Sequence, residues 1–202
     1  MTLTRKILWS VTKKTRLRSI KLLVMDCDGT LTDGDVFHLR FDCQDGLGIA
    51  LLPIEKAIIT GNRSPLIMKR AEQLHIGHVL LGVYEKKAEF EALISKLGLR
   101  HEEVCYVGDD SNDIECMQIA GIGIAVRNAT RKAKAAADFV TRNRGGHGAL
   151  REVADMLMRG QEHASKNDER YVLRRRRVQA SREFAASERS YRTEVDQEGN
   201  RD

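Results

Sequence analysis

Five aspartates in two short stretches carry the most evident chemistry in this sequence. Asp26 and Asp28 follow an apolar run and precede a Gly-Thr pair, and Asp109, Asp110 and Asp113 follow a second apolar run. Carboxylates this close repel one another unless a cation lies between them, and carboxylate oxygens are ligands that Mg²⁺ prefers. Either group alone is also common as a helix cap or a turn. The two groups together predict a site for a hard divalent cation.

A hydroxyl, a glycine and a lysine follow two other apolar runs. Thr60 and Gly61 precede a predicted helix, and a backbone N–H beside a glycine suits an anion such as phosphate, with a helix cap as the alternative. Lys86 opens the next predicted helix, where a cation is unfavourable unless negative charge lies nearby. An ordinary surface lysine is the alternative there. Together the three residues indicate a site for a phosphate group.

The apolar runs that carry these residues alternate with stretches of helical period. Near-continuously apolar strands that alternate with helices are typical of a parallel sheet covered on both faces. In such sheets ligands bind at the carboxyl ends of the strands, where the residues above fall. The sequence therefore predicts a doubly wound α/β domain. Its strands are expected at Ile20–Met25, Glu55–Thr60, His78–Leu81, Val104–Val107, Ile122–Val126 and Phe139–Thr141, and its helices at Pro65–Leu74, Lys87–Leu97, Asn112–Ala120, Thr130–Ala137 and Ala149–Met158.

Charge divides the 202 residues into one folded domain between two charged ends. We expect a basic lead-in segment at 1–19, the domain at 20–160, and a charged, partly disordered tail at 161–202. Residues 22–164 hold 17 basic and 21 acidic residues, so the net charge of +5 comes from the ends. Nucleic acid is therefore not the expected partner. The run Arg174–Arg177 could bind nucleic acid or acidic lipid, but its interleaved acids favour a solvated tail.

The cysteines and the first 20 residues give evidence on where in the cell the protein is located. Four cysteines without a CxxC pair are typical of a reduced, cytoplasmic protein. No apolar run approaches the roughly 18 residues of a membrane span. The first 20 residues have the composition of an organelle transit peptide, but a lead-in helix with Leu8, Val11 and Thr15 on one face is favoured. The sequence predicts a cytoplasmic protein with no membrane partner.

The order of these features resembles the haloacid dehalogenase (HAD) superfamily of phosphohydrolases. Its four motifs match Asp26-x-Asp28-Gly-Thr, Thr60, Lys86 and Gly108-Asp109-Asp110-x-x-Asp113. The chain is further similar to the small-cap subgroup that contains 3-deoxy-D-manno-octulosonate 8-phosphate phosphatase. That similarity covers about residues 16–160 and rests on Leu31-Thr32-Asp33-Gly34, Asp45-Gly46-Leu47-Gly48-Ile49, Ile58-Ile59-Thr60-Gly61 and Gly145-Gly146-His147-Gly148-Ala149-Leu150-Arg151-Glu152. The resemblance implies a HAD-like, Rossmannoid fold with a minimal β-hairpin cap.

The resemblance also implies catalytic roles. Asp26 is then the nucleophile that forms an aspartyl-phosphate, and Asp28 is the general acid and base. Thr60 and Lys86 hold the phosphoryl oxygens, where charge spreads in the transition state.

A metal site follows from the same resemblance. Mg²⁺ is expected between the Asp26 side chain, the Asp28 backbone carbonyl and Asp109. Asp110 or Asp113 then orients waters around the ion.

A substrate site and an oligomer are implied as well. Gly46 to Gly48 would line a sugar pocket beneath the cap, and the loop Gly145–Gly148 would close the site of a neighbouring subunit in a homotetramer. The substrate-binding residues implied in full are Asp28, Asp45, Gly46, Gly48, Thr60, Gly61, Asn62, Arg70 and Lys86.

Departures from the family pattern concern the substrate and the cap. Gln44 and Asn62 stand where relatives carry arginine, so two substrate-facing cations are missing, while Arg63 and Arg70 are candidates to compensate. The stretch Val36–Phe41 is shorter than the usual cap hairpin. Neither change bears on the phosphoryl chemistry.

The expected function is a Mg²⁺-dependent phosphatase acting on a small acidic sugar phosphate. The substrate would be of the 3-deoxy-octulosonate 8-phosphate or nonulosonate 9-phosphate type. One alternative is a catalytically weak oligomerisation or interaction module, like the similar domain fused to some acylneuraminate cytidylyltransferases. Another is a nucleic-acid-associated protein that uses the arginine run. The intact motifs favour the enzyme.

Overall fold

Six parallel strands form a single sheet in the part of the chain that the computed structural model describes, residues 16–162. The strand order is β3-β2-β1-β4-β5-β6, and helices connect successive strands. The predicted doubly wound α/β fold is therefore confirmed. The strands are β1 Leu22–Met25, β2 Glu55–Thr60, β3 His78–Leu81, β4 Val104–Gly108, β5 Ile122–Ala125 and β6 Phe139–Val140.

Six α-helices that follow β1 flank the sheet within the described residues, besides the short helical piece at 16–19. Five lie where periodicity predicts them, although the predicted helix at 112–120 begins as a 3₁₀ turn, Ser111–Asp113. A second 3₁₀ turn, His101–Glu103, precedes β4. The α-helices are α1 Cys43–Leu51, α2 Pro65–Gln73, α3 Lys86–Lys96, α4 Ile114–Ile119, α5 Arg131–Ala136 and α6 Ala149–Glu162.

Helix α1 was not predicted. Its two glycines, Gly46 and Gly48, lower the intrinsic preference for helix. The Asp42 carboxylate caps its first turn, accepting hydrogen bonds from the backbone N–H groups of Gln44 at 2.7 Å and Asp45 at 2.9 Å. The cap and packing against α6 therefore outweigh the propensity of the glycines.

The order of the strands in the sheet brings the ends of β1, β2 and β4 together. Every residue of β1 is buried, and β1 lies between β2 and β4, with Met25 level with Ile58 on one side and Val107 on the other. The backbone N–H of Asp26 donates to the Val107 carbonyl at 2.9 Å. The residues that follow β1, β2 and β4 therefore meet at one edge of the sheet, as the sequence predicts.

The cap is smaller than the expected hairpin. Between β1 and α1 the described structure has one isolated antiparallel bridge, Thr32 with Phe41, and no paired strands. Asp35 folds the intervening loop, because its carboxylate accepts from the N–H groups of Phe37 at 2.8 Å and His38 at 3.0 Å. Local turns at Asp33 and Asp35 thus occupy the stretch between the bridge partners, and no ladder extends from the bridge in this described part of the chain.

The two charged ends lie largely outside the described residues. Residues 16–19 are helical. Arg16 pairs with Asp138 at 2.8 Å, so this short piece is attached to the domain. The predictions for Leu8, Val11 and Thr15 and for the tail with Arg174–Arg177 fall on residues that the structure does not describe. Among the helices it does describe, none has the length and apolar character needed to cross a membrane.

Candidate active site

A buried lysine joins two of the predicted site aspartates. The Lys86 Nζ atom lies 2.6 Å from Asp26 Oδ1 and 2.8 Å from Asp113 Oδ1, and the Lys86 side chain is 1% exposed. A buried ammonium is tolerated only when it is paired and hydrogen-bonded. The surface-lysine alternative for Lys86 is therefore wrong, and the residue belongs to the carboxylate cluster.

Asp113 organises the loop after β4. Its Oδ1 atom accepts from Lys86 and from the Tyr106 hydroxyl at 2.8 Å, and its Oδ2 atom accepts from the N–H groups of Asp109 at 2.9 Å and Asp110 at 3.1 Å. Gly108 lies directly against this carboxyl group, where an added Cβ would overlap it. Both Asp113 oxygens are thus engaged within the protein, and the residue positions its neighbours.

The cluster carries more negative charge than Lys86 can balance. Burial raises the pKa of Asp26 well above its ordinary value despite the attraction of Lys86, and repulsion from Asp113 raises it further. Burial, followed by repulsion from Asp113, raises the pKa of Asp109 to about 6. Burial alone would lower the pKa of Lys86, but the fields of Asp26 and Asp113 outweigh it, so the net shift is upward. The ammonium therefore stays charged beside three carboxyl groups.

The donor set fits a hard divalent cation. One oxygen each from Asp26, Asp109 and Asp113 lie within 4.8 Å of one another. Because both Asp113 oxygens are engaged by hydrogen bonds, Asp26 and Asp109 are the side chains best placed to hold Mg²⁺. The hydroxyl of Thr30 lies 3.4 Å from Asp109 Oδ1 and steadies that carboxyl group. The excess negative charge is itself the feature that a cation would relieve.

Asp28 is exposed and is held by Asn62. The Asn62 Nδ2 atom donates to Asp28 Oδ1 at 3.1 Å, and Asn62 Oδ1 accepts from the Ser64 N–H at 2.8 Å. The Asn62 N–H in turn donates to the Thr60 hydroxyl at 3.1 Å. The residue that replaces the family arginine thus links the loop after β2 to the predicted acid and base.

The other predicted substrate-binding residues lie around α1. Asp45 is fully buried, and its carboxylate accepts from the N–H groups of Gly148 at 3.1 Å and Arg151 at 2.7 Å. Gly46 packs against the Arg70 guanidinium, and Gly48 against Arg151 of α6. These contacts give the residues roles in joining α1 to α2 and α6. Their contact with a substrate stays a prediction.

Arg70 supports the cap. Its guanidinium carbon lies 5.6 Å from the centre of the Phe41 ring, and its Nη2 atom donates to the Asp42 carbonyl at 3.4 Å. The buried Nε atom has no hydrogen-bond partner among the described residues. The contacts of Arg70 in this structure are therefore with the cap and α1, and its contact with a substrate stays a prediction.

Asn128 was missed by the sequence analysis. Its Nδ2 atom donates to the Gly29 carbonyl at 2.8 Å, and its Oδ1 atom accepts from the Gly145 N–H at 2.7 Å. It follows β5, so the strand-end rule that singled out the aspartates would also have found it. Asn128 joins the loop after β1, which contains Gly29, to the glycine loop, Gly145–Gly148.

The glycine loop packs on its own chain. An added Cβ on Gly145 would overlap the Gly29 carbonyl, and Gly146, with φ of +64°, lies against Thr32 and Asp33. The Gly146 N–H donates to the Thr30 carbonyl at 3.3 Å. The glycine loop therefore packs on the loop after β1 of its own chain, and its predicted reach to a neighbour stays a prediction.

Mg²⁺ should stabilise the protein more at about pH 7 than at about pH 4. The Asp109 pKa rises from 3.8 to about 6 on folding, so without metal the folded state binds more protons and the free energy of unfolding falls as pH rises through that window. A cation on the carboxylates offsets this loss. Melting temperatures with EDTA and with Mg²⁺ across this pH range measure the effect. A shift of equal size at every pH would contradict it.

Comparisons with known proteins agree with this geometry. A family model described as haloacid dehalogenase-like hydrolase matches residues 68–153. The 3-deoxy-D-manno-octulosonate 8-phosphate phosphatase KdsC of Escherichia coli K12 is 39% identical over 156 residues, covering 72% of this chain and 83% of the relative. The Haemophilus influenzae enzyme is 35% identical, covering 76% and 91%.

Solved structures of phosphatases are also similar to this chain. The Moraxella catarrhalis 3-deoxy-D-manno-octulosonate 8-phosphate phosphatase, solved with magnesium, phosphate and KDO, matches with a TM-score of 0.72 and 35% identity over 75% of this chain and 92% of that one. The cobalt-bound Haemophilus influenzae phosphatase matches with a TM-score of 0.70 and 34% identity over 78% and 99%. With the four motifs at one sheet edge, this chain belongs to the haloacid dehalogenase-like hydrolases, in the group of the 3-deoxy-D-manno-octulosonate 8-phosphate phosphatases.

Proposed function

We propose that this chain is a Mg²⁺-dependent phosphatase that hydrolyses a phosphomonoester of a small acidic sugar. The substrate is of the 3-deoxy-octulosonate 8-phosphate or nonulosonate 9-phosphate type. The observation that carries the proposal is the contact of Asp26 with the buried Lys86 at 2.6 Å, within a carboxylate cluster at the sheet edge. The relatives named above act on, or were solved with, molecules of this type.

Asp26 acts as the nucleophile in this proposal. Its carboxylate oxygen attacks phosphorus while the bond from phosphorus to the sugar oxygen breaks, and Asp28 gives its proton to that oxygen. Asp28 then takes a proton from a water that attacks the aspartyl-phosphate, which releases phosphate and restores Asp26. The hydrogen bond from Asn62 supports this role because it fixes the orientation of the Asp28 carboxyl group.

Thr60 and Lys86 bind the phosphoryl oxygens in this proposal. Thr60 is 1% exposed at the end of β2, and Lys86 is held by Asp26 and Asp113. Groups fixed in this way stabilise developing charge without reorganising. Asp26 and Asp109, with the Asp28 backbone carbonyl, would hold Mg²⁺, which would neutralise the carboxylates and polarise the phosphoryl group.

The test is a phosphatase screen of the purified protein against sugar phosphates, with Mg²⁺ and with EDTA. The proposal predicts Mg²⁺-dependent release of phosphate, fastest with 3-deoxy-octulosonate or nonulosonate phosphates. Because Gln44 and Asn62 replace two cations, the preference over neutral sugar phosphates should be narrower than in relatives. Absence of turnover with every phosphomonoester would favour the interaction-module alternative.

We further propose a cytoplasmic homotetramer. All four cysteines, Cys27, Cys43, Cys105 and Cys116, are free thiols, which supports a reducing compartment. Val36 and Phe37 lie in the loop between Thr32 and Phe41 and are 91% and 90% exposed. Two large apolar side chains that face solvent side by side favour association of subunits.

Light scattering at micromolar concentration should therefore show a tetramer. Replacing Val36 and Phe37 with Ser should shift it towards smaller species, because the apolar area buried between subunits falls. Leu66→Ser, an exposed position on α2, serves as the control. A monomer in the unmodified protein would contradict the assembly without bearing on the chemistry.

A further inference from the structure

Two neighbouring loops form the rim of the site beside Lys86. One follows β2 and the other follows β3, and they are joined by backbone hydrogen bonds from Gly82 N–H to the Asn62 carbonyl at 3.2 Å and from Val83 N–H to the Thr60 carbonyl at 2.9 Å. Gly82 has φ of +74°, a conformation that favours glycine. The rim is thus a fixed surface attached to the predicted phosphate-binding residue Thr60.

Tyr84 lies on this rim with its ring against Gly61. A Cβ added at Gly61 would lie 2.9 Å from the Tyr84 Cε1 atom, so the ring rests directly on the backbone of the predicted phosphate loop. Tyr84 is nevertheless 70% exposed, and its hydroxyl has no hydrogen-bond partner in the part of the chain that the structure describes. A large aromatic ring is therefore held at the mouth of the site with most of its surface free.

The ring also faces space suited to a ligand. Tyr84 and Lys86 line one cleft of about 520 Å³, together with Ser111 and Asn112 of the loop after β4 and Glu91 of α3. Lys86 is the residue of this cleft that contacts Asp26. Because the Tyr84 ring rests on Gly61, directly after Thr60, and shares a cleft with Lys86, a group attached to a phosphate at Thr60 and Lys86 would lie beside this ring.

We propose that Tyr84 determines specificity by binding the sugar portion of the substrate. The inference rests on the proposed function and adds to it the residue that recognises the leaving group. Sugar acids present C–H faces between their hydroxyl groups, and an aromatic ring offers a broad apolar surface at low entropic cost. The ring packs on that face while Thr60 and Lys86 hold the phosphate.

Steady-state kinetics of Tyr84→Ala test this inference. With the best sugar phosphate from the screen, KM should rise about tenfold, the size expected for losing one aromatic contact, while kcat changes little. Inhibition by inorganic phosphate and kcat/KM for acetyl phosphate, which has no sugar, should stay as in the unmodified protein. Tyr84→Phe should retain a low KM, and Glu89→Ala, an exposed position on α3 outside this cleft, serves as the control.

Three outcomes would overturn the inference. An unchanged KM for the sugar phosphate in Tyr84→Ala would show that the ring does not contact the sugar. An equal loss of phosphate inhibition would show that Tyr84 only holds Gly61 and the phosphate loop in place. An unmodified protein that hydrolyses acetyl phosphate but no sugar phosphate would overturn the proposed substrate and this inference together, whereas the first two outcomes leave the proposed function intact.

Discussion

Asp26→Asn should lower the rate of turnover by several orders of magnitude while the protein stays folded. A neutral amide is a poor nucleophile and a weak metal ligand, so both the attack on phosphorus and the binding of Mg²⁺ suffer. The fold should persist because Lys86 keeps its second partner, Asp113, at 2.8 Å. Single-turnover assays with circular dichroism of the same sample measure both effects.

A matched substitution at another aspartate distinguishes loss of the nucleophile from a general effect of replacing aspartate with asparagine. Asp42→Asn makes the same chemical change at the cap of α1, where asparagine caps as well as aspartate, so it should retain nearly full activity. Retention of more than a few per cent of the activity in Asp26→Asn would remove Asp26 from the nucleophile role.

Lys86→Met should destabilise the protein and silence it. The substitution leaves the carboxylates of Asp26 and Asp113 buried without their shared cation, and breaking a buried ion pair in this way typically costs about 3–5 kcal/mol of the free energy of unfolding. Mg²⁺ should restore part of the stability, because it supplies positive charge to the same cluster. Activity should not return, since the phosphoryl oxygens lose a ligand. Urea unfolding with EDTA and with Mg²⁺ measures the stability.

The neighbouring lysine offers the control. Lys87 pairs with Glu115 at 3.7 Å on the surface, so Lys87→Met should change the free energy of unfolding by less than about 1 kcal/mol. If Lys86→Met were as stable and as active as Lys87→Met, the buried cluster described here would be wrong.

The sheet could be predicted from the sequence because its strands are fully apolar. Glu55–Thr60 and His78–Leu81 match the predicted bounds, and the other strands differ by one or two residues at an end. Helix α1 could not be predicted in this way, because the Asp42 cap alone does not offset its glycines. The buried carboxylate of Asp45 also holds it, by accepting from the N–H groups of Gly148 and Arg151 at the start of α6, about a hundred residues away along the chain. Propensity reports only local preference, and here tertiary contacts outweigh it.

The residues of the candidate site likewise differ in how far the sequence predicts them. Asp26, Thr60, Lys86 and Asp109 could be placed because parallel strands bring their carboxyl ends to one edge. The role of Asn128 depends on hydrogen bonds between distant segments, such as that from Asn128 to Gly29, and the role of Asp113 depends partly on its bond with Lys86 of another helix. No local pattern encodes such a bond. The sequence does not single out Tyr84, because its proposed role depends on the contact of its ring with Gly61, and that contact joins two separate loops.

During turnover a phosphoryl group should be transferred to Asp26 and then to water. Rapid acid quench of the enzyme during turnover of the best sugar phosphate, followed by peptide mass spectrometry, tests it directly. The mechanism predicts one phosphoryl group on the peptide that contains Asp26, released by hydroxylamine as expected for an acyl phosphate and missing in Asp26→Asn. A phosphoryl group on another residue of the active protein, or phosphate release with no phosphorylated peptide at any quench time, would contradict it.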